Sequence, residues 1–352
     1  MGDPWTNESE HDSYRAAASP ERAGSMKKAL LATLEWVLGG ALAWLVLGKV
    51  AWSEAVDGIL LVHWDVAVLA VAAIFYSDYL KSYRWKLLLP GEQVSPSRLF
   101  LVRNAGSGIS SVSPIRVMGE ITQIAMLGQQ DGIRAAKVTA SIVLSGIFDL
   151  VVTLNILALG LFLLPPLADY RHLVIGFWAT AAGLFVLTPL LVGRLGRCRP
   201  LRRSRFARET LEALSVVHSQ KGVVLACLAL TLGGWLFIGI AAWLIAEAMG
   251  IGLTIRTVTV LIVAVLRGAG FTPAPTGMVG VYEFVTVSTL ALFTVDPAIA
   301  VSFALVTHAV IYLPRIVLEA CVLLVDRAAF AHAITSVMEP LQQLRFSRKL
   351  GA

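Results

Sequence analysis

Residues 258–293 read VTVLIVAVLRGAGFTPAPTGMVGVYEFVTVSTLALF, and this stretch decides the class of fold. Two apolar arms, 258–267 and 281–293, flank a tip rich in glycine and proline. Because proline and glycine interrupt helices, the stretch predicts two short helical arms joined by an irregular tip. Inside a membrane, irregular backbone is tolerated only where protein or a wet cavity satisfies its polar groups. We therefore expect a re-entrant hairpin.

A comparable stretch lies earlier in the chain, at residues 99–127. Both tips contain a proline, then a glycine, then a glutamate that opens an apolar arm, Glu120 in the first tip and Glu283 in the second. We predict a second re-entrant hairpin here. The interrupting residues of this earlier stretch are Gly106, Gly108, Pro114 and Gly119.

The composition excludes a soluble globular protein. Of the 352 residues, 57% are hydrophobic and only 15% are charged, whereas soluble domains carry roughly 25% charged residues. The mean hydropathy is +0.75. Several uncharged runs reach the ~20 residues that cross a bilayer as a helix. The net charge of +6 comes from basic residues at the ends of apolar runs, which is a topology signal and does not indicate nucleic-acid binding.

We predict an all-α polytopic membrane protein with about six full transmembrane helices besides the two hairpins. Residues 194–208 contain seven arginines and no acid, which places this loop, and with it both termini, on the cytoplasmic side of the plasma membrane. Lys81, Arg84 and Lys86 are interpreted as another basic inner edge. The predicted spans are residues 29–50, 66–80, 138–164, 173–192, 223–249 and 298–325.

This topology predicts one transmembrane domain, residues 26–330, between a disordered cytoplasmic tail, 1–25, and a basic cytoplasmic tail, 331–352. The two hairpins then enter from opposite faces, as in the inverted repeats whose interrupted segments form the substrate site of a transporter. The three cysteines have no metal-site or disulfide spacing, and no catalytic motif occurs. We expect no catalytic residues, metal or cofactor.

Arginines lie in or beside both predicted hairpin tips. Arg116 lies within the first tip, where a buried charge is costly; its planar guanidinium suits bidentate phosphate binding, or it forms a structural pair with Glu120. Arg267, beside the second tip, is its outer counterpart, or else an interfacial anchor. For Arg103, a snorkelling anchor at headgroup depth is expected.

Three carboxylates are further candidates for substrate binding. Glu120 and Glu283 each open a helical arm, where the helix N-terminus stabilises a carboxylate whatever the function. Alternatively, either of them binds a cationic headgroup or carries a proton. Asp149 falls near the middle of the third predicted span and is expected to face the bundle interior. Its expected partner is Arg116 or Arg315, in a structural pair or a proton site.

Arg315 is the sixth candidate for substrate binding. Since Glu319 follows it by four residues on one helical face, the two side chains are also expected to neutralise one another. Asp78 and Lys81 have similar spacing, and we favour a structural pair. For His308, core packing is the expected role, with pH sensing as the alternative.

Residues in four places carry a resemblance to a known family: 83–88 (YRWKLL), 114–120 (PIRVMGE), Asp149 and 273–283 (PAPTGMVGVYE). With them, the chain resembles the lysylphosphatidylglycerol synthase transmembrane region family over residues 29–327. Members form the lipid-flipping domain of the multiple peptide resistance factor and also occur as stand-alone flippase-like proteins. The synthase transfers lysine with a separate soluble domain, so the resemblance implies that this chain is not a synthase on its own.

We therefore expect a flippase or scramblase that moves a polar lipid, anionic or aminoacylated, of phospholipid or polyprenyl-phosphate type. Arg116 and Arg267 would bind its phosphate in turn. Two other hypotheses are a non-transporting partner subunit of a lipid-modifying enzyme and an intramembrane headgroup transferase, although no nucleophile with a general base is found. The lipid, its direction, the energy coupling and the oligomeric state stay open.

Overall fold

The computed structural model describes residues 33, 36–45, 48, 52–112, 117–195, 220–271 and 278–325. In this part of the chain every regular element is a helix. Four of these helices are long and apolar enough to cross a membrane. The protein is therefore an all-helical, polytopic membrane protein, as its sequence predicted.

Eleven α-helices are named here in chain order. Over the described residues, the four that are both long and apolar enough to span a bilayer are α3, α6, α8 and α11. The helices are α1 (Trp36–Leu45), α2 (Trp52–Leu60), α3 (Trp64–Leu87), α4 (Pro96–Val112), α5 (Met118–Gln129), α6 (Ala135–Leu163), α7 (Leu173–Leu195), α8 (Lys221–Ala248), α9 (Ile255–Phe271), α10 (Val281–Ala291) and α11 (Pro297–Val325), and a 3₁₀ helix, Pro165–Tyr170, connects α6 to α7.

The predicted spans correspond to helices whose ends differ from the prediction. The largest difference is at α3, which continues to Leu87 instead of ending at residue 80. Helix α2 was not predicted, and it packs against α11. Two predicted features lie outside the described residues: most of the first predicted span apart from residues 36–45, and the arginine-rich loop after Leu195.

Local sequence explains where two of the long helices end. Leu164 follows α6 and has extended backbone angles, φ −92° and ψ 115°, because a residue before proline avoids the helical region. After α8, Gly250 has a positive φ of 67°, and the N–H of Ile251 donates to the carbonyl of Ala246 at 3.0 Å. This is the Schellman arrangement that ends a helix at glycine.

The interrupted stretch at residues 99–127 forms two helices, α4 and α5, as predicted. Gly106 and Gly108 do not interrupt α4, however, since they lie within it. Instead, Gly106 lets the helices approach closely: a Cβ atom there would lie 2.8 Å from the carbonyl oxygen of Gly119 in α5. Small residues permit such close packing of membrane helices.

The same order of helices occurs twice in the chain: long, short, short, long. The first set is α3 to α6 and the second is α8 to α11. Equivalent helices make equivalent contacts in the two sets. In the first set α4 packs against α5 and against α11, the last helix of the second set. In the second set α9 packs against α10 and against α6, the last helix of the first set. The two sets meet mainly through their first helices, α3 and α8.

Helices α3 and α8 run antiparallel. Arg84, near the end of α3, donates a hydrogen bond to Thr231, in the first half of α8. Tyr76, earlier in α3, stacks edge-to-face on Phe237, later in α8. Between these contacts, the hydroxyl of Ser77 donates to the carbonyl of Gly234 at 2.7 Å. The candidate site lies along this contact between α3 and α8.

Candidate functional site

Helix α3 carries three charged side chains into the bundle. Asp78, Lys81 and Arg84 are 2%, 5% and 0% exposed. The prediction that Lys81 and Arg84 belong to a basic edge at the inner membrane surface is therefore wrong. The reason is that α3 continues to Leu87 and packs along α8, so these residues lie inside the protein rather than at its border.

Asp149 of α6 faces the bundle interior, as expected, but its partners were not predicted. Its Oδ2 accepts a hydrogen bond from the guanidinium of Arg84 at 2.9 Å, and its Oδ1 accepts one from the indole N–H of Trp235 at 3.2 Å. The expected partner was Arg116 or Arg315. Asp149 instead joins α6 to α3 and α8.

Arg315 of α11 binds Asp78 with two hydrogen bonds. Its Nε donates at 2.9 Å and its second guanidinium nitrogen at 3.1 Å. The pair predicted between Asp78 and Lys81 is thus replaced by a bidentate pair between α3 and α11. The side chain of Glu319, the other expected partner of Arg315, lies outside the described residues.

Trp235 lies between two cations. The Nζ of Lys81 lies 4.6 Å from the centroid of its ring, and the guanidinium carbon of Arg267 lies 4.9 Å from it. Both distances are typical of cation–π contacts. The Nε of Arg267 is buried and has no hydrogen-bond partner among the described residues, so this guanidinium retains a free donor.

Arg103 of α4 completes the charge cluster, which we define as Asp78, Lys81, Arg84, Arg103, Asp149, Arg267 and Arg315. The charges that act on the half-buried Arg103 include those of Asp78 and Asp149, so we include it in this group. Among the described residues, the cluster joins four arginines to two carboxylates, an excess of two positive charges, and Lys81 is a further basic side chain.

An apolar cavity of about 440 Å³ adjoins the charge cluster. Leucine and other apolar side chains of α6, α7, α9 and the two residues that follow α10, Leu292 and Phe293, form most of its wall, and Arg267 lies on its lining. Thr153 and Thr289 add hydroxyl groups to the same wall. The cavity therefore offers an apolar volume that meets a cation, which suits an amphipathic ligand.

Glu283 lies at the start of α10, as predicted, and has two bonding partners. Its Oε2 accepts a hydrogen bond from the backbone N–H of Gly280 at 2.7 Å. Its Oε1 pairs with Nδ1 of His308 of α11 at 2.5 Å, and the imidazole contacts the rings of Tyr282 and Tyr312. The carboxylate therefore closes the first turn of α10 and ties it to α11.

Glu120 lies in the first turn of α5, again as predicted from the helix start. Its Oε2 is buried without a hydrogen-bond partner among the described residues. Arg116, its expected partner, lies outside the described residues, and so does the second tip at 272–277.

The structure thus brings Asp149, Arg267 and Arg315 into one cluster, while Glu283 forms a separate pair with His308. Sequence reasoning missed the roles of Lys81, Arg84 and Trp235. A signal was present, because charges at three-residue intervals inside an apolar helix indicate a buried face.

The fold and the cluster define a polytopic α-helical membrane protein with a charged interior. The family model "Lysylphosphatidylglycerol synthase TM region" matches residues 31–318. The chain belongs to this family, as the resemblance indicated. A search of curated proteins finds no match.

Proposed function

We propose that this protein transports an anionic lipid between the two leaflets of the cytoplasmic membrane. The observation that carries the proposal is the excess positive charge of the charge cluster, which lies inside a bundle of apolar helices. Charged residues within membrane segments are costly and mark substrate pathways. An anionic headgroup compensates this charge while it crosses.

The repeated helix order supports a transport mechanism. In an inverted-topology repeat, the two copies of a helix run antiparallel, as α3 and α8 do. Interrupted helices of such repeats form the substrate site of many transporters. On this basis we propose six full spans, with α4/α5 and α9/α10 as re-entrant hairpins that enter from opposite faces, and both termini in the cytoplasm.

In this mechanism the headgroup and the acyl chain bind next to each other. Arg267 lies both at the charge cluster and on the wall of the apolar cavity. The phosphate binds the unpaired guanidinium donors, while a chain occupies the apolar volume and the rest of the lipid stays in the bilayer. Arg103 supplies a cation from the hairpin of the first repeat and Arg267 from that of the second, so that the phosphate passes between the two hairpins.

The two carboxylates of the charge cluster hold its arginines in position. Asp149 fixes Arg84, and Asp78 fixes Arg315 in bidentate geometry. Glu120 and Glu283 are proposed to carry protons or to bind the headgroup while the two hairpins open the site first to one side of the membrane and then to the other. Arg116 is proposed to contact the phosphate from the first tip.

The test compares Arg267→Gln with Arg256→Gln. Both arginines belong to α9, but Arg256 is exposed in its first turn. Purified variants are reconstituted at equal density, and transbilayer movement of fluorescent phosphatidylglycerol and phosphatidic acid is measured. We expect at least a tenfold loss of rate for Arg267→Gln and wild-type rates for Arg256→Gln.

Equal rates for wild type and Arg267→Gln would refute the role of this guanidinium. Failure of the wild type to move any anionic lipid would refute transport by the chain alone and favour a partner subunit of a lipid-modifying enzyme. Co-purification with such an enzyme would then identify the partner.

A further inference from the structure

We infer that the headgroup of the transported lipid carries more than one negative charge, as a phosphomonoester or a diphosphate does. This inference rests on the proposed function and names its class of substrate. It selects against zwitterionic phospholipids and against aminoacylated phospholipids, whose amino groups add positive charge.

The charge balance of the cluster is the first argument. Among the described residues, four arginines face two carboxylates, and Lys81 is a further basic side chain. Uncompensated charge in an apolar bundle is strongly unfavourable, so the best ligand is the one that neutralises most of the excess. A phosphodiester supplies one negative charge, whereas a phosphomonoester supplies about 1.5 to 2 at neutral pH.

The pairing within the cluster is the second argument. Both oxygens of Asp78 accept from Arg315, and those of Asp149 accept from Arg84 and Trp235. Neither carboxylate has an oxygen without a partner for a ligand ammonium group.

The unpaired cations are the third argument. Among the described residues, Lys81, Arg103 and Arg267 form no ion pair, and Lys81 and Arg267 lie against the same indole ring of Trp235. A tetrahedral phosphate with several free oxygens can accept from more than one of these groups at once. A phosphodiester has fewer terminal oxygens to offer.

The cavity shows why the phosphate belongs to a lipid. Its volume of about 440 Å³ lies beside Arg267 and its wall is nearly all apolar. Pockets for small ligands span about 300–1,000 Å³, so this one holds an apolar chain and not a whole two-chain phospholipid. The site thus joins one apolar chain to a highly charged phosphate group.

The test measures binding by the purified full-length chain in detergent at pH 8. The probes are dioctanoyl phosphatidic acid, phosphatidylglycerol, lysylphosphatidylglycerol and phosphatidylcholine, with glycerol 3-phosphate as the headgroup without chains. We expect phosphatidic acid to bind at least tenfold more tightly than each of the others.

Two variants separate the charge cluster from general surface charge. Arg267→Gln removes one cation of the cluster that is unpaired among the described residues, and we expect it to reduce the preference for phosphatidic acid over phosphatidylglycerol at least threefold. Lys221→Gln removes an exposed positive charge at the start of α8, and we expect the preference to stay unchanged. Thermal midpoints and gel-filtration profiles report whether both variants are folded.

Tighter or equal binding of phosphatidylglycerol or lysylphosphatidylglycerol would overturn the inference, and so would the absence of binding by phosphatidic acid. Equal binding of glycerol 3-phosphate would overturn the lipid part. Transport is measured separately: if phosphatidic acid binds selectively but no lipid moves in proteoliposomes, the proposed function fails while the headgroup preference stands. If phosphatidylglycerol both binds and moves best, the function stands and the inference fails.

Discussion

At the scale of the residue, Asp149 shows how a carboxylate is accommodated in an apolar helix. It lies within the 29 residues of α6 and accepts from Arg84 and Trp235, which belong to two other helices. Arg84 is fully buried and its Nε has no partner among the described residues. Without Asp149, this guanidinium would keep only its bond to Thr231.

We therefore predict that Asp149→Asn destabilises the protein. Removing one partner of a buried ion pair typically costs about 3–5 kcal/mol, because the other charge is left uncompensated. The measurement is the thermal midpoint of the purified variant in detergent. Asp65→Asn is the matched control, since Asp65 is exposed in the first turn of α3. Equal midpoints for the two variants would show that Arg84 does not depend on Asp149.

Glu283 makes one contact within its own stretch of chain and one that depends on the tertiary structure. Its position at a helix start was readable from the sequence, and its bond to Gly280 is local. Its partner His308 lies 25 residues away on α11. The structure thus adds a contact with Glu283 to the core packing that was expected of His308.

At the scale of the element, the short helices depend on close backbone contact. A methyl group on Gly119 of α5 would overlap the carbonyl oxygen of Gly106 of α4. The methyl group would also overlap Oγ of Ser110, and because the Gly106 carbonyl belongs to the backbone of α4, the two helices could not keep their present distance. Helices α4 and α5 can therefore pack this closely because Gly106 and Gly119 have no side chains.

We predict that Gly119→Ala separates α4 from α5 and destabilises the protein by about 1–3 kcal/mol, as overpacking does. Gly146→Ala is the control, because no atom lies within 4 Å of the added methyl group. That variant is expected to be neutral or to gain about 0.5–1 kcal/mol, the usual advantage of alanine over glycine in a helix. Thermal unfolding in detergent measures both. A stable Gly119→Ala protein would contradict the close contact.

At the scale of the whole molecule, the antiparallel packing of α3 on α8 sets the orientation of the two sets of helices relative to each other. It places the connection between α3 and α4 at the opposite end of the bundle from the connection between α8 and α9. The charge cluster then lies where the sets meet, with cations contributed by both.

We predict that Gln93→Cys and Arg256→Cys react with an impermeant thiol reagent from opposite sides of the membrane, Gln93→Cys from the cytoplasm. Both positions are exposed, one before α4 and the other at the start of α9. The background replaces Cys198, Cys227 and Cys321 with serine. Labelling is compared in intact cells and inverted vesicles, with permeabilised cells as the control. Reaction from the same side would refute the inverted arrangement.

By itself, the sequence determined the membrane class, the helical fold, the family and the two stretches in which a pair of short helices replaces one long helix, although not the residues at which the first helix of each pair ends. These follow from apolar length and from glycine and proline, which act on their own neighbourhood in the chain. The glutamates at the starts of α5 and α10 were predictable for the same local reason.

The tertiary structure alone decided which charges meet. The partners in Arg84–Asp149 are 65 residues apart and those in Asp78–Arg315 are 237 apart. A buried carboxylate requires a donor, but the sequence offers several arginines, and packing selects among them. Helix α3 extends past its predicted end and packs along α8, and this contact turned an expected surface edge into the centre of the site.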